Sequence, residues 1–187
     1  AELYPDQPSK NILVEVDCDA LRSTSLPVRL SIRVNASRVS TPGWFSNLVG
    51  PVVQRVLALA EEQHLNLIGI EIDYDCPTSR LEEYTIGLKE LRPLMGEVPL
   101  TITTLPTWMN RKHEFSDLVQ SVDSYVLQVH SIQRPDSKED LTKIFDSTLA
   151  RNWIQQASEF EVSFRLALPT YSVRVGFNSQ GKLAEVG

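Results

Sequence analysis

Apolar residues recur at every second position in six stretches of this 187-residue chain. The runs are NILVEVD (11–17), PVRLSIRVN (27–35), LIGIEIDYD (67–75), PLTITTL (99–105), SYVLQVHS (124–131) and VSFRLALPTY (162–171). A β-strand sends alternate side chains to opposite faces, so each run predicts a strand with one aliphatic and one polar face. Between most of the runs the apolar spacing lengthens to that of a helix. After Pro51, the residues Val52, Val53, Val56, Leu57 and Ala60 form one stripe. Ser79 and Glu82 have capping-box spacing and open a segment whose Leu81, Tyr84, Leu88 and Leu91 share a side. FSDLVQSV predicts a short helix, and 137–160 predicts one or two more, with Leu149, Trp153 and Ala157 toward the sheet. The tail predicts a hairpin around Asn178–Gly181.

Strands alternating with helices imply a parallel sheet with right-handed crossovers. Parallel strands covered by helices on both faces read as unbroken apolar runs. These do not. Glu15, Asp17, Arg33, Asn35, Glu71, Asp73, Asp75, Thr101, Thr103, Gln128, His130 and Arg165 each alternate with aliphatics. A barrel with a polar lumen satisfies both faces, whereas a doubly wound open sheet does not. The expected fold is therefore α/β, a TIM-like (β/α) barrel of about six parallel strands plus a C-terminal hairpin. It is expected to be incomplete, because a full (β/α)8 barrel takes about 250 residues. Residues 1–187 read as a single domain without repeat or linker, either whole or a fragment of a longer barrel protein. Six strands leave two edges of unpaired backbone groups. The 171–186 hairpin, a second copy of the chain or a missing barrel segment is expected to cover them.

Composition narrows the partners. The chain is 42% apolar and 22% charged, with a formal net charge of −6. No Lys/Arg run offsets that charge, which excludes a general nucleic-acid or anionic-membrane surface and suits a neutral or cationic ligand. No apolar run approaches the roughly 20 residues needed to span a bilayer. The first ten residues lack the pattern of a signal peptide. The chain is thus cytoplasmic, or else a leader has been removed and it belongs to the periplasm or cell envelope. Cys18 and Cys76 have no paired zinc motif and read as free thiols rather than a disulfide. No glycine-rich phosphate loop or Ser-His-Asp arrangement is present, and no cofactor is expected.

The chemistry concentrates in IGIEIDYDCP (68–77). Glu71, Asp73 and Asp75 share one face of a strand, neighbours about 6.5–7 Å apart. Crowded carboxylates raise one another's pKa. Such a ladder is either a site or is neutralised by Arg33 and Arg165. Gln128 and His130 lie toward the end of their strand on the same face, and Asn35 ends the polar face of another. Tyr171 follows ALPT, at the C-terminal strand ends where barrel enzymes present ligand contacts. Trp108 and Trp44 follow strands too, and could stack on sugar rings or pack in the core. A metal held by Asp73, Asp75 and His130 would lack the expected histidine pair, and none is expected.

IGIEIDYDCPTSRLEEY, LTITTLPTW, SYVLQVHS and ALPTY together resemble an uncharacterised bacterial family, domain of unknown function 3142, over most of residues 12–175. More distantly, residues 69–75 resemble the strand end D-G-x-D-x-D-x-E of family-18, chitinase-like glycoside hydrolases. Ile68 replaces the first Asp, Glu71 the second, and Asp75 the terminal Glu. RLSIRVN lies one βα unit upstream, in agreement with that register. This likeness implies a carbohydrate-processing enzyme with an oligosaccharide ligand. Asp75 would be the general acid, and Asp73 would orient the substrate's acetamido group, itself the nucleophile. Glu71 would lie deeper and share a proton with Asp73. His130, Gln128, Tyr171 and Asn35 would contact the sugar, with Trp108 walling the cleft. Asp75 is one methylene shorter than the Glu it replaces, and a 1 Å displacement can cost about 100-fold in rate. The alternative implied is a carbohydrate-binding or vestigial barrel protein without turnover.

Overall fold

In the computed structural model, six parallel strands hydrogen-bond in the order in which they occur along the chain. They are β1 (Glu2–Leu3), β2 (Val28–Val34), β3 (Leu67–Tyr74), β4 (Leu100–Thr104), β5 (Ser124–Gln128) and β6 (Phe164–Ala167). The helices are α1 (Cys18–Thr24), α2 (Trp44–Glu62), α3 (Leu81–Met95), α4 (Lys112–Gln120) and α5 (Ser147–Ala157). The structure describes all residues except 6, 8, 9, 13, 37–42, 131–143, 173 and 187. Parts of the expected 124–131 strand and 137–160 helices therefore lie outside the described residues.

A strand order that never reverses makes every right-handed crossover step the same way, so the helices gather on one face. A doubly wound sheet would reverse and cover both. This is the wall of a (β/α) barrel. The register pairs Arg33 with Asp73, Glu71 with Thr101, and both Thr103 and Arg165 with Val126. Those side chains share the polar face. Ile32, Ile72, Ile102, Tyr125 and Leu127 alternate onto the other face and are fully buried, with Val49, Val53, Leu88, Leu91 and Leu118 from the helices. No described helix is long and apolar enough to cross a membrane.

The first expected strand is not one. Residues 14–17 form no strand, and Val14 and Glu15 are exposed rather than placed on the two faces of the sheet. The short β1 takes the place beside β2, pairing Glu2 with Arg33 and Leu3 with Val34. Asp17 instead caps α1, its Oδ1 accepting from the Ala20 backbone N–H. Ile12 makes one antiparallel bridge to Glu2 and so covers the outer edge of β1.

Three local differences follow from backbone bonding. Helix α2 begins at Trp44 and runs through Pro51, rather than starting after it. The Ser79–Glu82 capping box does not form: a 3-10 turn at Thr78–Arg80 leads into α3 with no side-chain cap. The tail forms the expected hairpin, β7 (Val175–Phe177) with β8 (Leu183–Val186), but as a separate sheet. It pairs with neither edge of the six-stranded sheet, so the outer edge of β6 has no strand partner among the described residues.

Candidate functional site at the strand ends

The alternation that buries Ile70, Ile72 and Tyr74 necessarily turns Glu71, Asp73 and Asp75 to the opposite face. Tyr74 locks the end of β3 in place. Its ring meets Trp44, Phe45 and Tyr84 with centroids 5.9, 5.9 and 5.1 Å away. Gly69 starts the polar side of the same strand. A side chain there would meet Arg29 Nη1 at 2.8 Å and the Pro99 carbonyl at 2.9 Å, so the close approach of β4 requires glycine.

The ladder is neutralised by arginines. Arg33 donates from Nη1 to Asp73 Oδ2, and from Nη2 to Asp75 Oδ2 at 2.9 Å. Thr103 Oγ1 donates to the other oxygen of Asp73 at 2.8 Å, which leaves that carboxylate fully engaged. One layer lower, Arg165 Nη2 reaches Glu71 Oε2 at 3.5 Å, and Arg29 donates to Thr101 Oγ1. Burial pushes the Glu71 carboxyl above its ordinary range, against the pull of Arg165 and Arg29. The arginine contact expected for a structural ladder is thus present at every rung.

Above the rungs lies a cleft of about 550 Å³, lined by Arg33, Asp75, Leu105, Pro106, Thr107, Gln128, His130, Trp153 and Tyr171. Its position outside the C-terminal strand ends is where barrel proteins carry their sites. The Tyr171 hydroxyl and His130 Nδ1 are 3.2 Å apart, with their rings edge to face. Asp75 Oδ1 has no hydrogen-bond partner among the described residues. It can accept from a ligand.

Four of the residues singled out in the sequence meet here: Asp75, Gln128, His130 and Tyr171. Asp73 and Glu71 lie beneath the cleft rather than on its wall. Asn35 is half-buried beyond β2, with a buried Nδ2 that has no partner among the described residues, and it is not part of the lining. Trp108 does not wall the cleft. It is fully buried, because its Nε1–H finds the Cys76 carbonyl at 3.0 Å in the core behind the β3–α3 turn. Trp44 likewise belongs to the aromatic cluster. Both cysteines are free, and no cluster of metal-ligating side chains occurs among the described residues.

Sequence reasoning missed Trp153, Leu105, Pro106 and Thr107 as lining, and took Arg33 only as a counter-ion. One signal was available. Leu-Pro-Thr-aromatic occurs twice, at 105–108 after β4 and at 168–171 after β6. In the first copy the proline and threonine line the cleft and the aromatic turns into the core; in the second the aromatic itself lines the cleft.

Comparison with known proteins agrees with this architecture. The structure is similar to that of the Bacillus cereus spore cortex-lytic enzyme SleL, with a TM-score of 0.64 at 14% identity. The likeness covers 99% of this chain and 46% of SleL, so the chain spans about half the length of that enzyme. It is also similar to the GH18 chitinase ChiB from the chitin utilization locus of Flavobacterium johnsoniae, at 15% identity and a TM-score of 0.48. That match covers 84% of this chain and 62% of ChiB. At such identities the likeness is one of fold. Among curated proteins none matches the sequence. Residues 27–187, from the start of β2 through the hairpin, match the family described as Domain of unknown function (DUF3142), and the chain belongs to that family.

Proposed function

We propose that the strand-end cleft is a carbohydrate site, and that the protein is a glycoside hydrolase-like barrel that binds an oligosaccharide there. The observation that carries this reading is the meeting of Asp75, His130 and Gln128 with Trp153 and Tyr171 in one open cleft. A sugar ring offers apolar C–H faces and a rim of hydroxyls, and this lining offers aromatic surfaces with donors and acceptors beside them. Tyr171 and His130 already bond to each other, and either can turn its remaining polar capacity to a ligand.

Turnover is the second reading, favoured by Asp75 standing on the cleft wall where a proton donor would act. Against it stands Arg33. A guanidinium has donors only, so the Asp75 oxygen it meets is an acceptor. Only Oδ1, which Arg33 does not meet, is left to carry a proton. Glu71, whose carboxyl is pushed above its ordinary range by burial, lies four residues down the strand from Asp75, about 13 Å away.

A panel of neutral, acetylated and charged oligosaccharides, screened by thermal shift and followed by product analysis, tests both readings. Binding without products supports the first. Products that vanish in Asp75→Asn, with binding kept, support the second. General acid catalysis contributes about 100- to 10,000-fold, so the loss would be plain. If no oligosaccharide binds, the cleft is not a carbohydrate site and the ladder is scaffolding.

A further inference from the structure

The charges around the cleft are unequally divided. Among the described residues, Asp73 and Asp75 at the strand ends share a single cation, Arg33. That group carries one net negative charge. At the lower rungs the balance reverses, with Arg29 and Arg165 facing Glu71 alone. Arg29 lies four residues below Arg33 on β2, about 13 Å away by strand rise, which exceeds the roughly 8 Å screening length of physiological salt. Among the described residues, the pair Asp73 and Asp75 thus keeps one unshared negative charge at the strand ends. The negative charge has an open end. Both oxygens of Asp73 are engaged, whereas Asp75 Oδ1 has no partner among the described residues and its side chain is 48% exposed.

On the carbohydrate reading above, we infer that the cleft takes an amino sugar whose amine is free and protonated, with the ammonium donating to Asp75 Oδ1. An acetylated amine also has an N–H to offer, but no charge to answer the unshared carboxylate. A uronate would fare worst, because its carboxylate would face the unshared charge of Asp75. Leu105, Pro106, Trp153 and Tyr171 would take the C–H face of the ring, and these apolar contacts are the same for all three sugar types. The amine is what discriminates.

The test compares four β-linked tetramers by calorimetry on the intact chain: glucosamine, N-acetylglucosamine, glucose and glucuronate. A pH of about 5.5 keeps the sugar amine protonated, because the neighbouring ring oxygens pull its basicity below the ordinary α-amino value of about 7.7–8.0. A half-exposed ion pair contributes up to about 1 kcal/mol, so the glucosamine tetramer should bind roughly fivefold tighter than the neutral ones. The advantage should shrink in high salt, and in Asp75→Asn the glucosamine tetramer should bind no tighter than the neutral ones. Equal binding of the glucosamine and N-acetylglucosamine tetramers overturns the amine inference and leaves the carbohydrate site standing, as does tighter binding of the uronate. Failure of all four to bind overturns both.

Discussion

Arg33 and Asp75 stand on neighbouring strands, and Nη2 of the one donates to Oδ2 of the other at 2.9 Å while Nη1 holds Asp73. One side chain thus reconciles two carboxylates that the alternation of β3 forces onto the same face. Removing it should leave them facing each other uncompensated. Arg33→Gln is expected to lower stability by about 1 kcal/mol, a figure kept small because the arginine and Asp75 are partly exposed. Repulsion between exposed charges is screened by salt, so the deficit should fall as salt rises from low to about 1 M. Urea titrations at two ionic strengths measure it; a deficit that is independent of salt would mean Arg33 acts through packing.

Gly69→Ala tests the close approach between β3 and β4. The added methyl would meet the Pro99 carbonyl at 2.9 Å and Arg29 Nη1 at 2.8 Å. Arg29 can move, but the backbone oxygen belongs to the hydrogen bond that Ile70 N–H donates to it at 2.9 Å. Overpacking of this kind costs about 1–3 kcal/mol. The variant should show a lowered midpoint in thermal or urea unfolding.

Trp108→Phe should loosen the site from behind. The indole N–H satisfies the Cys76 carbonyl, one residue beyond Asp75, and phenylalanine cannot. A buried carbonyl left without its partner costs about 1–3 kcal/mol, and the smaller ring adds a cavity. Stability should fall by about 2 kcal/mol, and ligand binding should weaken although Trp108 touches no part of the cleft. Unchanged stability would show that the turn does not depend on this bond.

How much of this was legible depends on what each residue answers to. Strands β2 to β6 could be read because a sheet with one aliphatic and one polar face imposes an alternation of residue types, and Ile32, Ile72 and Ile102 keep it. The barrel followed from the polar residues left on the other face. β1 could not be read: two residues carry no period, and their pairing with Arg33 and Val34 is decided by tertiary contact. NILVEVD has the period without the partner, because the place beside β2 is already filled. Trp153 was legible as a helix residue on the face of Leu149 and Ala157, yet Leu149 is exposed and Ala157 buried. Trp153 lines the cleft from the middle of α5, a placement set by how the helix packs and not by its spacing. Trp108 was misread because an aromatic after a strand can turn either way, and its N–H found a buried acceptor.

Glu71 gives the last prediction, through pH. Burial raises its carboxyl above the ordinary value of 4.5, so the folded chain holds this proton more tightly than the unfolded chain does. Below 4.5 both states are protonated and the group has no effect on folding. Between 4.5 and the raised value the folded state binds more protons than the unfolded state, and stability falls as pH rises. Above the raised value the loss is complete and constant. Glu71→Gln keeps the shape of the protonated carboxyl and cannot ionise. Relative to the wild type, the variant should therefore gain stability as pH climbs from 4 toward 7, and the two should converge below 4.5. Arg165 works against this trend, since glutamine forfeits its 3.5 Å ion pair, but that pair is long and Arg165 is 56% exposed. Urea midpoints of the two proteins across this range decide it. A wild type that gains on the variant with rising pH would show that Arg165 and Arg29 outweigh burial and hold Glu71 ionised.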